Sequence, residues 1–147
     1  MTPERENEYK ELLAYVGLFS TIVWKVSPDA ETHLAKTIEK IVQKFGKSKA
    51  LIGLRQAAND TIEETIHWNL ESKVSLDEVL KASGVATISE ITRRYSSSYK
   101  RIIKRGHVRD NTEYYVVNGI LVDQGNAISD EERAHLQKLI DAYEAKC

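Results

Sequence analysis

The sequence predicts an α+β fold that is mostly helical, with about five or six helices and one β-hairpin over residues 113-123. Three observations predict it. Apolar residues recur at helical spacing through most of the chain. Three hydroxyl-x-x-Glu boxes mark helix starts. A single Asn118-Gly119 pair sits between two runs of aromatic and β-branched residues, as in a tight hairpin. The length of 147 residues suits a single domain, 1-147.

In chain order, Thr2-Pro3 supplies a cap and a first-position proline, and Tyr9, Leu12, Leu13, Val16 and Phe19 follow at helical spacing. Residues 20–26 are apolar and β-branched, so they either continue that helix or form a short strand. Ser27-Pro28 predicts a second helix, with Leu34, Ile38, Ile41, Val42 and Phe45 as its buried stripe and Gly46 as its stop. A third is expected over 50–69, with Leu51, Leu54, Ala58, Ile62 and Ile66 on one side. Ser75-x-x-Glu78 opens a short helix that Gly84 ends. Thr87-x-x-Glu90 opens the next, which Gly106 closes. In the hairpin that follows, Val117 pairs with Ile120 and both faces are largely apolar, so elements are expected to cover both sides. Ser129-x-x-Glu132 opens the final helix, with Leu136, Leu139, Ile140 and Tyr143 inward.

Composition excludes several classes. Hydrophobic residues are 41% and charged residues 29%, which is ordinary globular usage rather than that of disordered or collagen-like chains. No apolar run approaches the ~18–20 residues of a membrane span, and the polar, acidic start is not a signal peptide. Cys147 is the lone cysteine and has no internal partner for a disulfide, so a cytoplasmic location is the expectation.

The net charge of −1 conceals blocks. Residues 86–109 hold seven basic side chains and one acidic, while residues 110–147 hold three basic and eight acidic. From Ile91 to Arg109 there is no Asp or Glu. With Ile88 at zero and about 100° per residue, Ile91, Tyr95, Tyr99, Ile102 and Ile103 lie within about 60° of it. Arg93, Arg94, Lys100, Arg101, Lys104 and Arg105 fall opposite, between about 120° and 260°, with Ser97 among them. Solvated helix faces ordinarily mix signs, because Glu–Lys pairs one turn apart add support and like charges repel. A one-signed face therefore points to an anionic partner, and the arginine fork suits phosphate. The competing arrangement lays this basic helix (91-105) against the acidic C-terminal one, which would neutralise it within the molecule.

A short helix, a Gly-containing corner, a longer basic helix and a hairpin follow one another across 75-123. That order resembles the layout of winged helix-turn-helix domains. It departs from the layout in placing Leu80 and Glu90 at two corner positions usually held by a small and an apolar residue. The strands of the wing also carry no Lys or Arg.

Motifs of catalysis are weak. Glu64-x-x-His67 and Glu132-x-x-His135 have the spacing of di-iron helix pairs. Glu64 and His67 nevertheless fall opposite their helix's apolar stripe, so no metal site is expected there. His33 and His107 have no ligand partner at short spacing, and no phosphate-cradling Gly-rich loop or nucleophile elbow occurs. No cofactor is expected. The expected function is a non-enzymatic binding module that holds nucleic acid through Arg93, Arg94, Ser97, Lys100, Arg101, Lys104 and Arg105. The alternative is a protein–protein interaction module such as a regulator, inhibitor or immunity-type protein, whose opposite charge blocks would speed association.

Overall fold

The computed structural model describes residues 1–123 and 128–146, so the lone Cys147 lies outside the described residues. Eight helices occur among them: α1 (Pro3–Ile22), α2 (Leu34–Phe45), α3 (Lys47–Thr65), α4 (Leu70–Ala82), α5 (Ile88–Tyr95), α6 (Ser97–Arg105), α7 (Asn111–Val122) and α8 (Asp130–Ala145). No strand occurs among the described residues, which corrects the α+β expectation to an all-helical fold. The chain forms two compact units, Met1–Thr61 and Ile62–Cys147.

In the first unit, α1 starts as its sequence dictates, with the Thr2 hydroxyl accepting from the Arg5 amide at 3.2 Å. The helix runs on to Ile22, so residues 20–26 form no strand. Trp24 packs edge-on against Phe19 with ring centroids 4.9 Å apart. Leu12, Tyr15, Val16, Phe19, Ile38, Leu54 and Ala58 are buried, and the Tyr15 and Thr61 hydroxyls meet at 2.8 Å. Ser27-Pro28 does not open α2. The Ser27 hydroxyl takes the Asp29 amide in a local turn. His33 caps the helix instead, its Nδ1 accepting from the Ala35 amide at 3.2 Å. Phe45, expected on the buried stripe, stands 62% exposed.

Three corrections fall in the second unit. First, Ser75 lies inside α4, which begins at Leu70 with Asn69 as its cap. Second, the single basic helix is two. Ser96 adopts an extended conformation, ends α5 and caps α6 by accepting from the Tyr99 amide at 3.1 Å. Third, residues 113-123 are not a hairpin, and with it goes the winged arrangement of 75-123. They form α7, which Asp110 caps by accepting from the Glu113 amide at 3.0 Å.

The physical reason is that α7 packs against α4, α5, α6 and α8. A helix surrounded in this way is apolar on several sides, as is a strand covered on both faces, and periodicity does not separate the two. Val116, Val117 and Ile120 join Tyr99, Ile102, Val108, Leu136, Leu139 and Ile140 in one core. Gly119 is a helical residue lodged beside α4 and α5. A Cβ there would lie 3.5 Å from the Ser89 hydroxyl and 3.6 Å from Lys73 Cδ, which is ordinary contact. Gly119→Ala is therefore expected to be neutral or to stabilise by up to about 1 kcal/mol in chemical denaturation, since alanine is the better helix former. In a type I′ turn the same change would force positive φ on alanine and destabilise the protein.

Candidate nucleic-acid interface

The nine-residue helix α6 is anchored through Tyr99 and Ile102, which are 3% and 1% exposed in the core of the second unit. Its cap at Ser96 sets the start, and Gly106, in the left-handed region at φ 83°, ends it. At about 100° per residue, Ser97, Lys100, Arg101 and Lys104 occupy an arc of about 100° directly opposite those anchors. All four are exposed. Arg101 Nε donates along its own helix to the Ser97 carbonyl at 3.4 Å. Among the described residues no ion pair joins Lys100, Arg101 or Lys104 to a carboxylate within 4.0 Å.

The other three cations of the expected set are engaged within the fold. Glu90, only 3% exposed, accepts from Arg93 Nε at 3.1 Å, from a second Arg93 nitrogen, and from Arg94 Nε at 2.7 Å. Arg93 also lies 3.7 Å from Glu132 on α8, and the Tyr99 hydroxyl donates to that carboxylate at 2.8 Å. Burial and this bond push the Tyr99 phenol well above its ordinary range. The hydrogen bond to Glu90 holds the Arg93 guanidinium higher still than usual. Arg105 turns back to the His107 carbonyl at 3.0 Å and pairs with Glu113 of α7. The expected six-cation face thus divides, with Arg93, Arg94 and Arg105 bracing helices and Lys100, Arg101 and Lys104 facing water. The acidic α8 takes up part of the charge but leaves the α6 face open.

Asn118 and Gly119, expected at the turn of a hairpin, lie within α7. Glu64, His67 and His135 are exposed, while Glu132 serves Tyr99 and Arg93.

Sequence reasoning missed a buried polar cluster in the same unit. Asp77 of α4 accepts from the Ile88 amide at 2.7 Å, from the Ser89 amide at 3.4 Å and from the Ser89 hydroxyl. Asp123 at the end of α7 accepts from the Thr87 hydroxyl. Two carboxylates therefore converge on the first turn of α5, where unpaired amides and the helix dipole favour negative charge. Lys73, 6% exposed, donates to the Ile66 carbonyl at 3.4 Å. Burial raises the Asp77 carboxyl to about 7 against the bond from Ser89, with the Asp123 charge adding to the rise. Burial lowers Lys73 to about 8, with Asp77 opposing. Asp77 and Asp123 also edge a cavity of about 330 Å³ that Val74, Glu78, Lys81 and Val122 complete. The sequence signal for this cluster was faint: Asp77 sits inside the Ser75-x-x-Glu78 box that suggested a helix start.

No family model, curated protein or solved structure matches this chain, so the site is read from its own geometry. No helix among the described residues is long and apolar enough to cross a membrane.

Proposed function

We propose that the protein is a non-enzymatic binding module that holds the phosphate backbone of a nucleic acid on the outer face of α6. The carrying observation is the grouping of Lys100, Arg101 and Lys104 on one exposed arc with no carboxylate within ion-pair distance among the described residues. Lysine and arginine there neutralise phosphates and release counterions, and the Ser97 hydroxyl adds a neutral hydrogen bond. The anchors Tyr99 and Ile102 hold the α6 backbone in the core, so that binding has only the exposed side chains of the face to order.

The test is charge reversal. Arg101→Glu with Lys104→Glu should weaken binding of a fluorescent oligonucleotide at least roughly tenfold at low salt, measured by anisotropy, because two phosphate contacts become repulsions. Arg93→Gln should change it by less than about twofold, since that guanidinium is committed to Glu90 and Glu132. Undiminished binding by the charge-reversed protein overturns the proposal.

A protein partner is the second reading, favoured by Phe45 and Ile52 of the first unit, which stand 62% and 59% exposed. Exposed apolar side chains mark a docking surface where they form one patch. A partner released by Phe45→Glu, and indifferent to the α6 charge reversal, would support it.

A further inference from the structure

We propose that the nucleic acid held on α6 is a duplex, gripped by its phosphates and without regard to base sequence. This rests on the α6 reading above and adds to it the class of ligand.

How far α6 emerges from the fold limits what it can touch. The helix has nine residues and is therefore about 13 Å long, and α5 and α7 both pack against it. Tyr99 and Ile102 lie in the core, and Ile103 is half-buried against that core. On the other flank Arg105 is half-buried and paired with Glu113 of α7. The exposed side chains of α6 are Ser97, Ser98, Lys100, Arg101 and Lys104. Bases in a B-form duplex are read by an element that enters a major groove about 12 Å wide and about 8.5 Å deep. A helix flanked on both sides by its own fold does not enter to that depth, whereas the phosphates that rim the groove lie at the surface. Contacts to phosphate fix position and carry no sequence information. In an A-form RNA duplex the major groove is too narrow for side chains to read, so the same limit holds.

The face also favours a duplex over a single strand. Proteins that hold single strands without sequence preference stack bases on exposed aromatic rings besides neutralising the backbone. The one aromatic residue of α6 is Tyr99, which is 3% exposed and donates its hydroxyl to Glu132. The outer face of α6 therefore offers a base no ring to stack on. Its cations are spread across the face as well. Lys100 and Arg101 stand at its two edges, about 100° apart around the axis, and Lys104 stands between them one turn on from Lys100. That spread suits a duplex, which presents two rows of phosphates at one charge per about 1.7 Å of axis, where a single strand presents one row.

The experiment has two arms, both with the full chain at low salt. In the first, the protein is mixed with a pool of DNA duplexes of randomised sequence, and the bound fraction is sequenced. No base should be enriched at any position of the aligned sequences by more than about twofold, where direct readout would enrich it at least about fivefold. In the second, fluorescence anisotropy compares a DNA duplex, an RNA duplex of the same length and one of the DNA strands alone, chosen to lack self-complementarity. The single strand should bind at least about fivefold more weakly than the tighter duplex. DNA and RNA duplexes carry the same phosphates, and the tighter of the two names the source of the ligand. Arg101→Glu with Lys104→Glu should weaken that duplex at least roughly tenfold. An enriched motif, or a single strand bound as tightly as the duplexes, overturns this inference and leaves the α6 reading standing. No binding of any probe, or binding undiminished by the charge reversal, overturns both.

Discussion

Asp77→Asn is expected to make the protein more stable than the wild type above pH 7, and to lose that advantage as the pH falls toward 4. Asp77 is 6% exposed, and burial raises its carboxyl from 3.8 in the unfolded chain to about 7 in the fold. The native state therefore holds the proton more tightly than the unfolded one. The stability this contributes is complete below about pH 4 and is lost as the pH climbs through about 7, at roughly 1.4 kcal/mol per pH unit. Asparagine fills the same space, keeps one oxygen for the Ile88 and Ser89 amides and carries no charge to bury. The difference in unfolding free energy between variant and wild type should thus move by a few kcal/mol, on the order of the linkage above, between pH 4 and pH 8. Lys73, lowered to about 8, titrates above this window, where stability instead rises with pH toward 10.5. Urea denaturation of both proteins across the range checks the prediction. A difference that stays constant with pH would show that Asp77 keeps its ordinary pKa.

The second large effect is expected at Glu90. Its carboxylate is almost fully buried and holds both Arg93 and Arg94, three and four residues along α5. Glu90→Gln preserves shape but leaves two partly buried guanidinium groups without that counter-charge. Removing one partner of a fully buried pair costs roughly 3–5 kcal/mol; because these arginines are 21% and 34% exposed, about 2–3 kcal/mol is the expected loss of stability. Replacing Arg93 and Arg94 by methionine in the same variant should recover much of it, since the guanidinium groups that lost the Glu90 charge are then gone. A loss under about 0.5 kcal/mol for Glu90→Gln would mean that the two arginines do not depend on the Glu90 charge.

Helix content was legible where local chemistry is unambiguous. Thr2-Pro3, Thr87-x-x-Glu90 and Ser129-x-x-Glu132 all mark true starts, each hydroxyl accepting from an amide one turn on, whereas the Ser75-x-x-Glu78 box lies inside α4, which Asn69 caps. The segment around Asn118-Gly119 misled because a turn dipeptide between β-branched runs is also what a thoroughly buried helix can contain. Burial against four helices overrides the weak strand preference of valine and tyrosine. Asp110-x-x-Glu113 directly before it was the countersignal, a helix cap at the place where a strand was expected.

The candidate site was half legible. The apolar anchors Tyr99 and Ile102 and the outward set Ser97, Lys100, Arg101 and Lys104 follow from helical spacing alone. The engagement of Arg93 and Arg94 was written in their distance from Glu90, since carboxylates three and four residues away share a helix face. Arg105 meeting Glu113 depends on the turn at Gly106 and on α7 being a helix, which no local pattern specified. The break at Ser96 also decides which cations share a face, and a serine inside an amphipathic pattern does not announce itself as a cap.

The salt dependence of oligonucleotide binding tests the α6 face most directly. Three open cations predict that the logarithm of the association constant falls with the logarithm of salt at a slope of about −2 to −3, and of about −1 after Arg101→Glu with Lys104→Glu. A slope near −5 would mean that all six cations reach phosphate, against the ion pairs seen here, and a slope of zero or no binding at low salt would contradict a phosphate-holding face altogether.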